Sequence, residues 1–214
     1  ACSPSRPKGY IVPSAARRIL PLLKKRGVSS LHIGGGEPFL NIPGLLEVLD
    51  VFKSTAMGVE YIETNSSWYR GPDECAAVLE ELKRRRVGTL LISMSPFHAE
   101  YIPFNKVKGL MAACRRAGMN IFPWTENFSS WLDGLDGART FSLEEQEKMS
   151  GEGFVRSIPG RYWVTYRGRA MKTWKPWLPH RAFAALLEEN SGPCRELFDT
   201  SHFHADLHGE YVPG

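Results

Sequence analysis

The stretch SLHIGGGEPFL, from Ser30 to Leu40, leads a short apolar segment directly into three glycines, a glutamate and a proline. Glycines at the end of a strand indicate that the chain turns through angles closed to other residues, or that a ligand approaches the main chain closely. Three consecutive glycines exceed what a tight turn requires. The stretch therefore predicts a strand that ends in a bare backbone ledge beside a carboxylate.

Apolar segments like the one before this ledge recur at intervals of roughly 30 residues, the length of one strand and its returning helix. They centre on Leu31, Tyr61, Leu91 and Ile121. The stretches between them place apolar residues at helical spacing, so each presents one apolar face to a neighbour. Because parallel neighbouring strands need helical crossovers, this alternation predicts an α/β fold with a mostly parallel sheet.

Further elements are expected on both sides of this alternation. A helix over about residues 14–26 should have Ser14 as its cap and Gly27 as its stop, and a further strand should precede residue 1. After Glu126 the strand–helix rhythm is lost. The chain is therefore divided into a core, residues 1–126, and a second part, residues 127–214, with a capping box from Ser142 to Glu145 and a C-terminal hairpin.

The four predicted strands end in polar, glycine-rich or aromatic residues. These ends are GGGEP (Gly34 to Pro38), TNSSW (Thr64 to Trp68), SMSPFH (Ser93 to His98) and PWTE (Pro123 to Glu126). Ligands of parallel α/β sheets bind at the carboxyl ends of the strands. The four segments therefore predict a ligand site along one edge of the sheet.

The glycine run matches neither of the common nucleotide-binding motifs. No Gly-Lys-Ser/Thr follows it, as a phosphate loop requires, and it lacks the G-x-G-x-x-G spacing of dinucleotide sites. What remains is a ledge whose backbone can bond an extended ligand, with Glu37 placed to accept hydrogen bonds from a cationic amine and Pro38 stiffening the turn. The alternative is a tight strand–helix connection with a solvent-facing glutamate.

The order of these motifs resembles the radical S-adenosylmethionine (SAM) superfamily over about residues 2–124. In that family a Gly-Gly-Glu-Pro element contacts the amino and methionine part of SAM. The resemblance places this role on Gly35, Gly36, Glu37 and Pro38. Later strand ends of the family reach the ribose and carboxylate of SAM, which here points to Asn65, Ser93 and Ser95. Ser93 and Ser95 are equally suited to capping the turn that follows.

The resemblance implies a partial (β/α) barrel with a C-terminal α+β extension. It also implies SAM and a [4Fe–4S] cluster as cofactors, an electron donor such as flavodoxin or ferredoxin, and a 5′-deoxyadenosyl radical that abstracts hydrogen from a small-molecule or peptide substrate. His98 is a candidate contact to substrate or ribose, and packing against Tyr101 is the alternative. Two other functions are a metal-dependent barrel hydrolase using His98, His202, His204 and Asp206, and a non-catalytic binding module.

The cysteines divide into candidate ligands and packing residues. The Cys-x-x-x-Cys-x-x-Cys that holds the cluster in the family does not occur in residues 1–214, and we expect it on an N-terminal segment that this chain lacks. Cys2 is a candidate for the edge of that cluster loop, with an incidental loop position as the alternative. Cys75 and Cys114 fall on apolar helix faces, where a thiol packs as a small hydrophobe.

The tail, residues 193–214, resembles the auxiliary-cluster extensions of the SPASM/twitch type, in which one cysteine precedes a hairpin and another follows it. The resemblance makes Cys194 a candidate ligand of an auxiliary iron–sulfur cluster. Alternate residues of a strand share a face, so His202, His204 and Asp206 also permit a metal site. A structural use of these histidines is the third interpretation.

Composition narrows the range of partners. The chain has 27 Lys and Arg against 23 Asp and Glu, a net charge of +4, and its basic clusters lie at the ends of predicted helices. There they complement the helix dipole, so nucleic acid is not an expected partner. No apolar run reaches the roughly 18 residues of a membrane helix, and we expect a cytoplasmic protein.

Overall fold

The computed structural model of the chain describes residues 9–162, 164, 166, 169–193, 203–208 and 210–213. Their centre is a four-stranded sheet in the order β1-β2-β3-β4. The strands are β1 (Ser30–Ile33), β2 (Gly58–Thr64), β3 (Thr89–Ser93) and β4 (Asn120–Trp124). All three neighbouring pairs are parallel, which confirms the predicted α/β fold and the chain order of its strands.

One helix precedes the sheet and four lie in the crossovers between its strands. The first is α1 (Pro13–Lys25), and the crossover helices are α2 (Ile42–Ser54), α3 (Pro72–Arg84), α4 (Pro96–Ala99) and α5 (Phe104–Arg116). A 3₁₀ helix, Pro38–Asn41, connects the glycine ledge to α2. In α3 the first turn carries Asp73 and Glu74 and the last carries Lys83 and Arg84, so charges at both ends complement the helix dipole.

The first helix begins differently from the prediction. Its first residue is Pro13, following Val12, and no side chain caps this end, so the expected cap at Ser14 is wrong. Proline suits the first helical position because its missing N–H would have no partner inside the helix. Gly27 does end the helix, with φ +88°.

The core lies between the sheet and the helices. Ile62, Leu90 and Ile92 of the central strands are fully buried and pack against α3 and α5 residues in one cluster. Cys75 and Cys114 belong to it, as predicted, and burial raises the pKa of their thiols to about 11 and about 12. A second cluster joins α1 to α2.

Helices continue after the sheet, and a hairpin closes the described chain. The helices are α6 (Ser129–Asp133), α7 (Leu143–Ser150), α8 (Phe154–Arg161), α9 (Arg169–Trp174) and α10 (Phe183–Glu189). The predicted capping box is confirmed, since Ser142 and Glu145 each bond the other's backbone N–H. The predicted hairpin is confirmed as antiparallel strands β5 (Phe203–Ala205) and β6 (Tyr211–Pro213).

The division of the chain near Glu126 stays a prediction. Across that position, however, one core is continuous. Residues beyond it that pack into the sheet–helix cluster are Phe128, Leu132, Val155, Ile158 and Trp174. In the described part of the chain, none of the helices combines the length and apolar character that crossing a membrane requires.

Candidate functional site

Glu37 connects the carboxyl ends of the first two strands. Its side chain is 6% exposed. Oε1 accepts hydrogen bonds from the backbone N–H of Phe39 at 3.2 Å and from Thr64 Oγ1 at 3.0 Å, and Oε2 accepts one from the N–H of Asn65 at 2.6 Å. One carboxylate therefore holds both the turn after β1 and the chain leaving β2.

The donors to Glu37 differ from the one that the sequence predicted. We expected Glu37 to accept from a ligand amine, whereas the carboxylate points into the protein and is engaged by three protein donors. Burial raises the pKa of Glu37, and the hydrogen bonds from Asn65, Phe39 and Thr64 oppose that rise. A contact between Glu37 and SAM stays a prediction, and the observed geometry makes Glu37 a residue that shapes the ledge.

The hydrogen bonds continue beyond Glu37 through Thr64. Its hydroxyl oxygen accepts from Trp68 Nε1 at 3.0 Å and from the N–H of Ser66 at 3.1 Å. The Trp68 ring stacks on Phe39 with centroids 4.6 Å apart. The turn after β1 and the turn after β2 are thus joined by both polar and aromatic contacts.

The three glycines of the ledge, Gly34–Gly36, have different environments. A Cβ on Gly34 would lie 2.9 Å from Glu63 Oε2, so the missing side chain makes room for a carboxylate of β2. Gly35 has φ +130°, a conformation that L residues rarely adopt. A Cβ on Gly36 would meet no heavy atom of the described structure within 4 Å. The backbone at Gly35 and Gly36 is open to a ligand.

The turn after β2 contains a strained residue. Ser66 has φ +67°, is fully buried, and its hydroxyl has no hydrogen-bond partner among the described residues. Asn65 Oδ1 accepts from the N–H of Ser67 at 2.9 Å, which closes the turn. Strained backbone of this kind persists only where its surroundings hold it, and it occurs often at functional sites.

At the end of β3, Ser95 and His98 are paired. Ser95 Oγ lies 2.8 Å from His98 Nδ1 and accepts from the His98 N–H at the start of α4. Burial lowers the pKa of His98 to about 4, so its imidazole is neutral at pH 7. Ser95 thus has the capping role that the sequence offered as an alternative, and Ser93 pairs with Trp124 in the sheet. Ribose or substrate contacts by these three residues stay predictions.

The sheet face opposite the buried side chains of Ile62, Leu90 and Ile92 carries a feature that was not predicted from the sequence. His32 stacks on Tyr61 with centroids 4.9 Å apart, Tyr61 meets Phe122 edge-on at 6.2 Å, and Phe122 meets Trp124 edge-on at 5.9 Å. We call these four side chains the aromatic row. The available signal was the segment VEYIET in β2, whose two carboxylates are unusual in a strand of a parallel sheet.

The candidate metal ligands are only partly within the described residues. Cys2, Cys194 and His202 lie outside them. His204 meets His32 edge-on at 6.4 Å, and Asp206 Oδ1 accepts hydrogen bonds from the N–H groups of His208 and Glu210 within the hairpin turn. Among the residues that the structure describes, no three His, Cys, Asp or Glu side chains are grouped as metal ligands.

The chain matches no model of a known protein family, and no curated protein matches it.

Proposed function

We propose that this chain is the SAM-binding part of a radical SAM enzyme with a partial (β/α) barrel. The observation that carries the proposal is the Glu37 network. It fixes the Gly-Gly-Glu-Pro turn of β1 against Thr64 and Asn65 of β2, and it does so at the carboxyl edge of four parallel strands in chain order. This arrangement agrees with the residue pattern through which the sequence resembles that superfamily.

The open ledge fits one end of SAM. Gly35 and Gly36 offer main-chain groups without side chains, and a Cβ on either would meet no described heavy atom within 4 Å. Main-chain carbonyls are suited to accept from the SAM amino group, and N–H groups to donate to its carboxylate. Asn65 follows β2 and Ser93 is the last residue of β3, so both lie at the same edge of the sheet as the ledge. This is the position expected for residues that reach the rest of the ligand.

The described residues do not supply a [4Fe–4S] site, since no suitable group of ligands occurs among them. When bound, such a cluster supplies the electron that cleaves SAM and receives it from a donor such as flavodoxin or ferredoxin. In this proposal the chain's own residues bind SAM, orient it and exclude water.

The test uses protein expressed from the complete gene, reconstituted anaerobically with iron and sulfide. We expect SAM to bind and 5′-deoxyadenosine to form on reduction. Gly36→Val adds a side chain to the ledge and should weaken SAM binding at least tenfold. Gly88→Val, at the amino end of β3 where a Cβ also meets no described atom within 4 Å, should leave binding unchanged.

Failure of the reconstituted protein to bind SAM, measured by calorimetry, would overturn the proposal. Binding without 5′-deoxyadenosine would replace it by a non-catalytic SAM-binding module. Equal SAM affinity of the Gly36 and Gly88 variants would show that SAM does not bind at the ledge.

A further inference from the structure

The aromatic row forms a continuous apolar surface across one face of the sheet. It runs from His32 on β1 through Tyr61 on β2 to Phe122 and Trp124 on β4. Leu91 of β3 lies between them, because it pairs in register with Glu63 on one side and with Phe122 on the other. Phe122 is 45% exposed and Trp124 is 41% exposed, although faces of parallel sheets are ordinarily covered.

Two carboxylates of β2 flank this row. The register between β1 and β2 shifts so that Leu31 to Ile33 spans three residues of β1, whereas the matching Val59 to Ile62 spans four of β2. Glu60 lies in this longer segment of β2, next to Tyr61, and accepts from Ser30 Oγ at 2.7 Å. Burial raises the pKa of Tyr61, and the negative charges of Glu63 and Glu60 raise it further, which places both carboxylates near the ring.

Glu63 is the carboxylate closest to the ledge. Its Oε2 occupies the space that a side chain on Gly34 would fill. Among the described residues its Oε1 lies 3.8 Å from His32 Nε2, beyond hydrogen-bond distance. Its side chain is 39% exposed. This charge therefore lies between the ledge and the aromatic row with capacity for a stronger cationic partner.

We propose that the aromatic row and Glu63 bind the substrate, and that this substrate is an organic cation with a protonated amine attached to a flat or apolar group. The ammonium group binds Glu63 beside Gly34, and the apolar group lies on Phe122 and Trp124. A cation over aromatic rings is attracted by their faces, and a nearby carboxylate adds a charge-assisted hydrogen bond. An anionic substrate is repelled by Glu60 and Glu63. Naming this ligand as the substrate rests on the proposed function, whereas its binding does not.

The test compares tryptamine with indole-3-propionate, which have the same ring and opposite charges. We expect calorimetry to detect tryptamine binding with at least tenfold preference over the acid. Glu63→Gln should weaken tryptamine binding about 10- to 100-fold. Glu47→Gln, the same change on the exposed side of α2, should have no effect. Phe122→Ala should weaken it about 3- to 30-fold, and Tyr101→Ala, a 61% exposed aromatic outside the row, should not.

SAM itself carries an amine, a sulfonium and a flat base, so the two ligands are titrated together. Tryptamine binding that persists at saturating SAM supports a separate substrate cation. Competition between them assigns the row to SAM and overturns the proposal, as do equal affinities for the two probes or an unchanged affinity of the Glu63 variant. The proposed function is tested separately, by SAM binding to the reconstituted protein and by formation of 5′-deoxyadenosine. Circular dichroism of each variant checks that the fold is kept.

Discussion

At Glu37, one buried carboxylate accepts hydrogen bonds from both ends of the β1–β2 crossover. Replacing it with glutamine keeps one acceptor oxygen but turns an NH₂ group toward a backbone donor. With Oε1 retained for Phe39 and Thr64, the N–H of Asn65 loses its acceptor. A buried donor left without a partner costs about 1–3 kcal/mol. Glu37→Gln should therefore lower the free energy of unfolding in urea by about that amount.

Glu47→Gln is the matched control, because Glu47 is exposed on α2 and surface substitutions of this kind change stability by about 0.5 kcal/mol or less. If Glu37→Gln unfolds at the same urea concentration as this control, the carboxylate does not tie the two strand ends together.

His98 should make stability depend on pH in a defined range. Its pKa falls from 6.5 to about 4 in the folded protein because the ring is buried. As the pH drops from 6.5 to 4, the unfolded chain takes up a proton that the folded chain does not. Stability is therefore lost on acidification, by up to about 3 kcal/mol near pH 4. His98→Asn should remove this part of the dependence in urea unfolding measured between pH 4 and 7.

The control for His98 is His180→Asn, which changes an exposed histidine and should leave the pH dependence as in the wild type. A wild-type profile that coincides with that of His98→Asn between pH 4 and 6.5 would show that the ring is accessible to protons in the folded state.

At the scale of single residues, the sequence identifies the residues of the site better than it identifies their hydrogen-bond partners. Glu37 and Asn65 were singled out from the motif, and the structure brings them within 2.6 Å. The direction of the Glu37 carboxylate was not predictable, because burial depends on where Thr64 and Phe39 lie in space. Glu63 was missed because its neighbour at the end of the adjacent strand, Gly34, has no side chain that could suggest an interaction.

Within the turn between β1 and α2, three adjacent glycines should differ in what they tolerate. Gly35→Ala forces a side chain into φ +130°, which should cost roughly 1–3 kcal/mol. Gly36→Ala meets nothing within 4 Å in the described structure and should be nearly neutral. Gly34→Ala should displace the flexible Glu63 carboxylate at little cost in stability.

Thermal unfolding of the three variants gives the order of these costs, since about 2–4 °C of Tm corresponds to each kcal/mol in a domain of this size. Equal melting temperatures for Gly35→Ala and Gly36→Ala would contradict a conformational role for Gly35. The Gly34 variant should instead be recognised by weaker tryptamine binding at nearly unchanged Tm.

Elements were predictable where one face is apolar and the period is regular. The four strands and the helices between them follow from that periodicity, because each must bury its apolar face against the sheet or the helices. The start of α1 at Pro13 was missed, since Ser14 and Pro13 are both suited to a helix start. The register shift between β1 and β2 was not predictable either, because it depends on pairing and not on the order of residues.

For the whole molecule, the observed core extends past the position where the sequence rhythm stops. Phe128 and Leu132 around α6, and Val155 and Ile158 of α8, pack into the same cluster as the sheet. Their segments are short and lack the strand–helix alternation, so the sequence offered no sign that they share this core. A local sequence pattern predicts helices and strands, but it does not predict which distant segments pack against each other.

Trp174 allows this continuity to be tested. Its side chain is 2% exposed, its Nε1 donates to the Val155 carbonyl at 3.1 Å, and its ring meets Phe97 of α4 edge-on at 5.3 Å. One tryptophan of α9 thus contacts both α8 and the segment that follows β3. Removing it leaves a cavity between the helices beyond Glu126 and the sheet layer. Trp174→Ala should therefore cost about 3–5 kcal/mol.

If the two parts of the chain unfold as one unit, that loss lowers the stability of the sheet as well as of α8 and α9. Hydrogen exchange should then show faster exchange of amides in β2 and β3 together with those of α8, by the same free energy. Trp177→Ala, in the 3₁₀ helix that follows α9 and 46% exposed, should change neither. Faster exchange confined to residues after Glu126 would instead mean that the second part opens independently of the sheet.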